Sequence, residues 1–311
     1  MSLGRSLFRI AHVSDLHVLS PAGTEWRRLV FNKRITGHAN LLWQRGRVYR
    51  RGHLVAVLEE VAVGADHVVV TGDITNLSLE SEYEAARELL DDLARRIEVT
   101  VVPGNHDIYL PATLRDRRFW HHFSSFLRSD LPQFACNLPA GRYPCVKLRG
   151  PAAIIALSSA VPRPPFFSAG LLGGEQIHAF AQLLAHPEVK QRTPVILVHH
   201  PPVDTRPALL RLRDGLVDAA PLREALDGLS RGLVLYGHTH VRVRCRMKTR
   251  NGSLDVVSAS GAALDHPSHA VRAGFNRYDI SDDGSIADPC CWVFGDGGGA
   301  FRPIELRPYC L

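Results

Sequence analysis

The chain has 311 residues, 45% of them hydrophobic and 22% charged, with a formal net charge of +6. This is the composition of a folded globular chain; it excludes a disordered or low-complexity protein, and no apolar run approaches the length of a membrane span. The six cysteines (136, 145, 245, 290, 291 and 310) have neither zinc-finger nor Cys-x-x-Cys spacing, which reads as reduced thiols in a cytoplasmic setting.

In chain order, residues 7–15 read as a first strand, with no room ahead of it for a signal peptide. A basic insertion over about 20–53 follows. Between Trp26 and Leu58 it carries Arg27, Arg28, Lys33, Arg34, Arg45, Arg47, Arg50 and Arg51 and no acidic residue, which more than accounts for the net charge. Trp26, Leu29, Phe31, Leu41, Leu42, Trp43 and Tyr49 are interleaved with these cations. That mixture suits peripheral attachment of residues 26–51 to an anionic membrane surface better than binding to nucleic acid, which is the less favoured partner.

Leu54, Val57, Leu58 and Val61 recur at helical spacing and predict a helix over 53–63. Val68-Val69-Val70 predicts a buried strand over 67–72, residues 79–96 a helix and 98–102 another strand. The stretch 108–145, with Phe119, Trp120, His121, His122, Phe123 and Phe126, is long for a connection and is expected to form a cap over a site. A strand over 152–157 leads to an irregular loop that carries Phe166 and Phe167. A helix then starts at Gly173, with Ile177, Phe180, Leu183 and Leu184 on one face. Strands end at Val198 and Tyr236, with a helix over 218–229 between them. Val241 to Lys248 alternates apolar and basic residues, as a half-exposed strand does. Strands near 254–259, 275–280 and 290–294 are expected to complete a second sheet, and the tail after Gly295 to be irregular.

Five of these strands end in residues that can ligate a metal. Asp15 and His17 follow the first, Asp73 the second and Asn105 the third, with His106 and Asp107 next in line. His199 follows the fourth, with His200 beside it, and His238 and His240 follow the fifth. In open α/β sheets ligands gather at the carboxyl ends of the strands. Carboxylate, amide oxygen and imidazole together suit Mn, Fe or Zn, and the lack of a ligating Cys argues against a closed structural zinc. Seven ligands exceed what one ion takes. Two divalent ions are therefore expected, with Asp73 on the central strand as the natural bridge. His12, His67, His178, His186, His266 and His269 fall outside these blocks and are read as core or surface histidines.

The blocks Asp15-x-His17, Gly72-Asp73, Gly104-Asn105-His106-Asp107, His199 and Gly237-His238-Thr239-His240 resemble, in this order, those of the calcineurin-like metallophosphoesterase superfamily. The resemblance runs from residue 15 to residue 240. It implies an α/β fold of two mixed β-sheets packed as a sandwich and flanked by helices, in a single domain over 1–311. Asp15, His17 and His240 would bind one ion and Asn105, His199 and His238 the other, with Asp73 shared. His106 would stabilise the transition state or protonate the leaving oxygen, and Asp107 would hold its other ring nitrogen.

The expected activity is phosphoester hydrolysis, foremost phosphodiester hydrolysis, by a metal-bound hydroxide. No Gly-x-Ser-x-Gly elbow or Cys-x5-Arg loop supplies another nucleophile. The Gly-Asn-His-Asp and His-His-Pro-Pro blocks look like the branch with cyclic-nucleotide phosphodiesterases. A second branch cleaves the lipid intermediate UDP-diacylglucosamine at the membrane surface. The basic insertion fits that branch, but its best-known members carry Arg where this chain has His106. A non-catalytic metal-binding scaffold, the third alternative, would be expected to have lost ligands, and none is lost here.

Overall fold

A computed structural model describes residues 7–20, 49–295, 300–306 and 309–310. The basic insertion, and with it the expected membrane contact of residues 26–51, lies outside the described residues apart from its ends, among them Tyr49, Arg50 and Arg51. No helix among the described residues is long and apolar enough to cross a membrane.

Two sheets form the frame. The first has the order β14-β13-β12-β1-β2-β3. Its strands β1 (Leu7–Val13), β2 (His67–Val70) and β3 (Glu98–Val101), the last at the sheet edge, are parallel. The antiparallel strands β12 (Gly274–Ser281), β13 (Cys290–Val293) and β14 (Arg302–Glu305) extend it beyond β1. The second sheet has the order β15-β10-β11-β9-β8-β7-β6. There β7 (Ala152–Ala156), β8 (Thr193–Leu197), β9 (Leu233–Tyr236) and β11 (Gly252–Ser258) are parallel. Strands β6 (Cys145–Arg149) and β10 (Arg244–Thr249) run antiparallel to β7 and β11, and β15 (Tyr309–Cys310) pairs with β10.

Alternation along the second sheet sorts the core. Ile154, Val195, Leu197, Leu233, Leu235 and Val257 pack with Ile10, Val13 and Val69 of the first sheet. Their neighbours Ile155, Ile196, Val198, Val234 and Val256 face the other way, onto Phe180, Leu183, Leu222 and Leu226 of the outer helices. Strands covered on both faces read as continuous apolar runs, which is why the Val-rich segments were legible as buried strands. On the far side of the first sheet lie α1 (Arg51–Glu60) and α2 (Glu80–Ala94). Helix α2 buries Tyr83, Ala86, Leu90 and Leu93 at helical spacing. The Glu82 carboxylate accepts the backbone N–H groups of Leu77 and Leu79 at 2.7 and 3.2 Å and fixes the entry to that helix.

Three expectations are corrected. Strands β12 and β13 belong to the first sheet, not the second. Arg9 and Asp279 face each other in the β1–β12 register and pair at 2.6 and 2.9 Å, a cross-strand match that alternation within either strand does not reveal. The tail is not wholly irregular, because Arg302–Glu305 adds β14. Arg244 in β10 is buried rather than exposed, because Asp255 accepts both its Nε and its Nη2 and Asp288 a further bond. The stretch 108–145 folds into the short helices α3 (Pro111–Arg115) and α4 (Arg118–Phe123) and the hairpin of β4 (Cys136–Leu138) with β5 (Gly141–Tyr143). Phe119, Phe123 and Phe126 of this stretch lie in the core, and His122 Nε2 sits 2.7 Å from Glu80.

An ionic clasp joins the sheets along one edge. Lys147 on β6 donates to the carbonyl of Val99 on β3 at 2.7 Å and lies 3.3 Å from Glu98. Arg149 grips both Glu98 oxygens at 2.6 and 2.8 Å and reaches Asp130 at 2.7 Å. The hydrogen bond from Arg149 leads in lowering the Glu98 pKa to about 2. A depressed carboxylate pKa contributes stability that is complete above its ordinary value of 4.5 and is lost as pH falls toward 2. Replacing Glu98 with Gln should cost about 1–2 kcal/mol at neutral pH, the range of a part-exposed charged network. Thermal melts of parent and variant from pH 7 downward should show a constant gap that closes below pH 4.5.

Candidate metal centre

The seven expected ligands converge where the parallel strands of both sheets end. The loops after β1 and β2 are zipped together: Asp15 N–H donates to Gly72 O at 3.0 Å and His17 N–H to Asp73 O at 2.9 Å. Asp15, His17, Asp73, His238 and His240 all have positive φ, between 44 and 68°. Asp and His tolerate this left-handed region better than bulkier residues, at a cost of about 1 kcal/mol or more each. Local strain of this kind persists only where the surroundings over-determine it. Gly104 is such a constraint, because a Cβ there would collide with the Asp73 carboxylate and backbone.

The side chains form two adjoining groups. Asp15, His17, Asp73 and His240 offer ligand atoms within 4.8 Å of one another. His240 Nε2 is 3.1 Å from Asp15 Oδ1 and 3.4 Å from His17 Nε2. In the second group Asn105 Oδ1 lies 3.1 Å from His199 Nε2 and 2.9 Å from His238 Nδ1. Asp73 stands between the two, with Oδ2 3.9 Å from His17 Nε2 and Oδ1 3.4 Å from His199 Nε2.

Three of the rings are held from behind. His199 Nδ1–H donates to Thr71 O at 2.7 Å, and His238 Nε2–H donates to Asp214 O at 2.8 Å. His240 Nδ1 shares a hydrogen bond of 3.0 Å with the Tyr49 hydroxyl. Each ring thus turns its other nitrogen into the cluster, as metal-ligating histidines do. His200 lies beside them, but Ser159 Oγ at 2.8 Å occupies its Nδ1 and Ser168 O at 2.8 Å its Nε2. Burial, with His238 and His199 close by, holds its pKa well below the usual imidazole value. It is a neutral support to its neighbours.

Charge points the same way. Burial works to raise the pKa values of Asp15 and Asp73, yet the neighbouring imidazoles outweigh it and keep both well below the carboxylate range. Burial also opposes a proton on His199, but Asp73 pulls its pKa up to about 9. Two buried carboxylates that draw positive charge onto a buried ring fit divalent cations.

His106 is brought to the same place. Its N–H donates to Asp73 Oδ1 at 2.8 Å, and its ring packs edge-on against His17 at 4.9 Å. The Asn76 carbonyl accepts from Nδ1 at 2.5 Å, which leaves Nε2 as the basic nitrogen of the neutral ring. Asp107 therefore does not hold the His106 ring as expected. Its carboxylate is turned to the backbone N–H groups of Ile74, Thr75 and Gly104 at 3.2, 2.7 and 2.9 Å, where it ties together the loops that carry Asp73 and Asn105. Burial and Asp73 push its pKa up to about 7, against the pull of those N–H groups. Sequence reasoning missed Tyr49, Asn76, Thr71 and Asp214, three of which act through backbone carbonyls that no residue type announces. His12 and His67 are buried on Thr71 and Thr100, as core histidines.

A two-sheet sandwich that gathers oxygen and imidazole donors at one edge is the frame of a metal-dependent phosphoester hydrolase. The chain belongs to the calcineurin-like phosphoesterase family, whose model matches residues 8–242. It is 28% identical over 195 residues to a cAMP/cGMP dual specificity phosphodiesterase of Mycobacterium tuberculosis. That alignment covers 61% of this chain and 54% of the relative, so the chain matches about half of the relative's length. Among solved structures, a dimetal phosphatase from Danio rerio superposes with a TM-score of 0.51 at 15% identity, covering 96% of this chain and 99% of the other. A purple acid phosphatase from yellow lupin (Lupinus luteus) gives 0.57 at 12% identity, covering 98% and 54%. These two likenesses are likenesses of fold.

Asp73→Asn keeps the size of the side chain and removes its charge. Elemental analysis of the purified variant should show loss of at least one ion per chain, with the circular dichroism unchanged; two retained ions would contradict the shared position of Asp73. Tyr49→Phe should weaken metal binding about 10-fold, as loss of an outer hydrogen bond to a ligand does. A chelator titration of parent and variant measures it.

Proposed function

We propose that the chain is a binuclear metal-dependent phosphodiesterase. The placement of Asp73 between two groups of donors carries this reading. Asp15, His17 and His240 would hold one divalent ion, Asn105, His199 and His238 the other, and Asp73 both; the donor set suits Mn, Fe or Zn. The ions, when bound, supply Lewis acidity and a nucleophilic water at neutral pH.

The chain's own groups do the rest. Asp15 and Asp73 fix the cations, and Thr71, Asp214 and Tyr49 fix the rings. His106, oriented by Asn76, would present Nε2 to the leaving oxygen and, as the imidazolium, would donate the Nε2 proton there and return to the neutral ring. Asp107 keeps the loops of Asp73 and Asn105 at a constant spacing. One observation favours diesters over monoesters: the relative from Mycobacterium tuberculosis is a phosphodiesterase. The basic segment 26–51 supports a second reading, a pyrophosphatase acting on a nucleotide-linked lipid such as UDP-diacylglucosamine at a membrane surface.

The test is a panel of bis(p-nitrophenyl) phosphate, p-nitrophenyl phosphate, cAMP and a nucleotide-sugar diphosphate, assayed with Mn, Fe and Zn. The diester should exceed the monoester in kcat/KM; the reverse order overturns the diesterase reading. His106→Ala should keep both ions. It should lose about 10²–10⁴-fold in kcat on cAMP, whose alkoxide needs a proton, and less on the activated nitrophenyl ester. Equal losses on both would make His106 a charge stabiliser instead.

A further inference from the structure

Eight large apolar side chains are exposed among the described residues, and six of them sit on two neighbouring segments. Phe166, Phe167 and Leu171 lie in the loop after β7; Leu209, Leu212 and Val217 lie on or just after α7 (Ala208–Asp214, numbered after α5, Gly174–Ala185, and α6, Pro187–Lys190). Phe166 is 79% exposed, Leu209 76% and Leu212 71%. The segments are stitched into one rim: Ser168 N–H donates to Arg213 O at 3.0 Å, Gly170 N–H to Gly215 O at 2.9 Å and Val217 N–H to Gly170 O at 3.0 Å.

This rim borders the metal centre. The carbonyl of Ser168, next to Phe167, accepts from His200, and the carbonyl of Asp214, at the end of α7, accepts from His238. Phe166 projects from a turn stiffened by Pro164 and Pro165 and has φ of 68°, a conformation a bulky aromatic seldom adopts. The chain thus spends backbone strain to hold an aromatic ring out in water.

The exposed charges around these side chains are mainly cationic. Arg211 and Arg213 are exposed, and Arg163 and Arg206 partly so. Of the three acids here, Asp204 and Asp214 are engaged by Arg206 at 2.6 and 2.9 Å, Asp214 also by Arg213 at 2.9 Å, and the half-buried Asp218 accepts the backbone N–H groups of Leu172 and Gly173. Projecting apolar tips among cations, with no exposed carboxylate between them, match a surface of anionic headgroups over hydrocarbon. An ordinary solvated face would not gather six large apolar groups.

We propose that this rim is a docking surface for an anionic lipid layer and holds the metal centre at headgroup level. It stands on residues separate from the segment 26–51. It rests on the phosphoesterase reading only for its consequence, that the phosphoesters offered to the centre are those displayed at such a surface. The test is cosedimentation with phosphatidylglycerol and phosphatidylcholine vesicles for the parent, for Phe166→Ser/Leu209→Gln/Leu212→Gln, and for Asp73→Asn. The parent should prefer phosphatidylglycerol. The triple variant should bind it at least about 10-fold more weakly, with metal content and circular dichroism unchanged. Asp73→Asn should bind it as the parent does. Equal binding by parent and triple variant overturns the proposal. A parent that is a dimer by ultracentrifugation, with a monomeric triple variant, also overturns it and gives the rim to a second copy. Vesicle binding without turnover of bis(p-nitrophenyl) phosphate would sustain the docking surface and remove the phosphodiesterase reading.

Discussion

Asp15 and Asp73 are buried carboxylates whose charge partners, among the described residues, are imidazoles. A buried carboxylate is expensive unless something positive meets it, and two in adjoining positions also repel each other. This constraint organises the edge of the sandwich. It explains why strand after strand ends in a histidine, why the backbone bends into left-handed conformations to aim them, and why Gly104 leaves room for an oxygen where other residues would place a Cβ. Cations held there would relieve the repulsion, so that metal and loop geometry would belong to one energetic unit.

The donors come from both layers. Asp15, His17, Asp73 and Asn105 follow strands of the first sheet, and His199, His238 and His240 follow strands of the second. An ion held by both groups is therefore a fastening between sheets. It acts beside the shared apolar core and the clasp of Lys147, Arg149 and Glu98. The three differ in physical character. The core is non-directional, the clasp depends on ionised Glu98, and the centre depends on deprotonated rings. Chelation acts on the centre alone, whereas acid weakens the clasp and the centre together.

The donors of the centre were legible in the sequence because each is a rare residue type at the end of an apolar run. The chemistry that steadies them was not. Thr71, Asn76 and Asp214 contribute carbonyl oxygens, which every residue possesses, and Tyr49 sits in a stretch whose cations and aromatic residues pointed to a surface rather than to the site. Asp107 shows the converse error. Its place after His106 suggested a partner for that ring, but a carboxylate that can accept three backbone N–H groups nearby has a better use for its oxygens. The buried strands were readable from their apolar runs, and strand partnership was not. The placement of β12 beside β1 depends on matches such as Arg9 with Asp279, which sequence separation hides.

That pairing bears on how the molecule is made. Strand β1, which leads into Asp15 and His17, lies between β2 and β12, and its register runs from Leu7 opposite Ser281 to His12 opposite Asn276. On a ribosome β1 can meet β2 early and waits for β12 until residues 274–281 have emerged. Contacts that close such long loops form late and slowly. The last histidine donor, His240, is also synthesised well after the first carboxylate. The candidate donors span residues 15 to 240, so a nascent chain can present only part of the centre until it has been synthesised through the loop after β9.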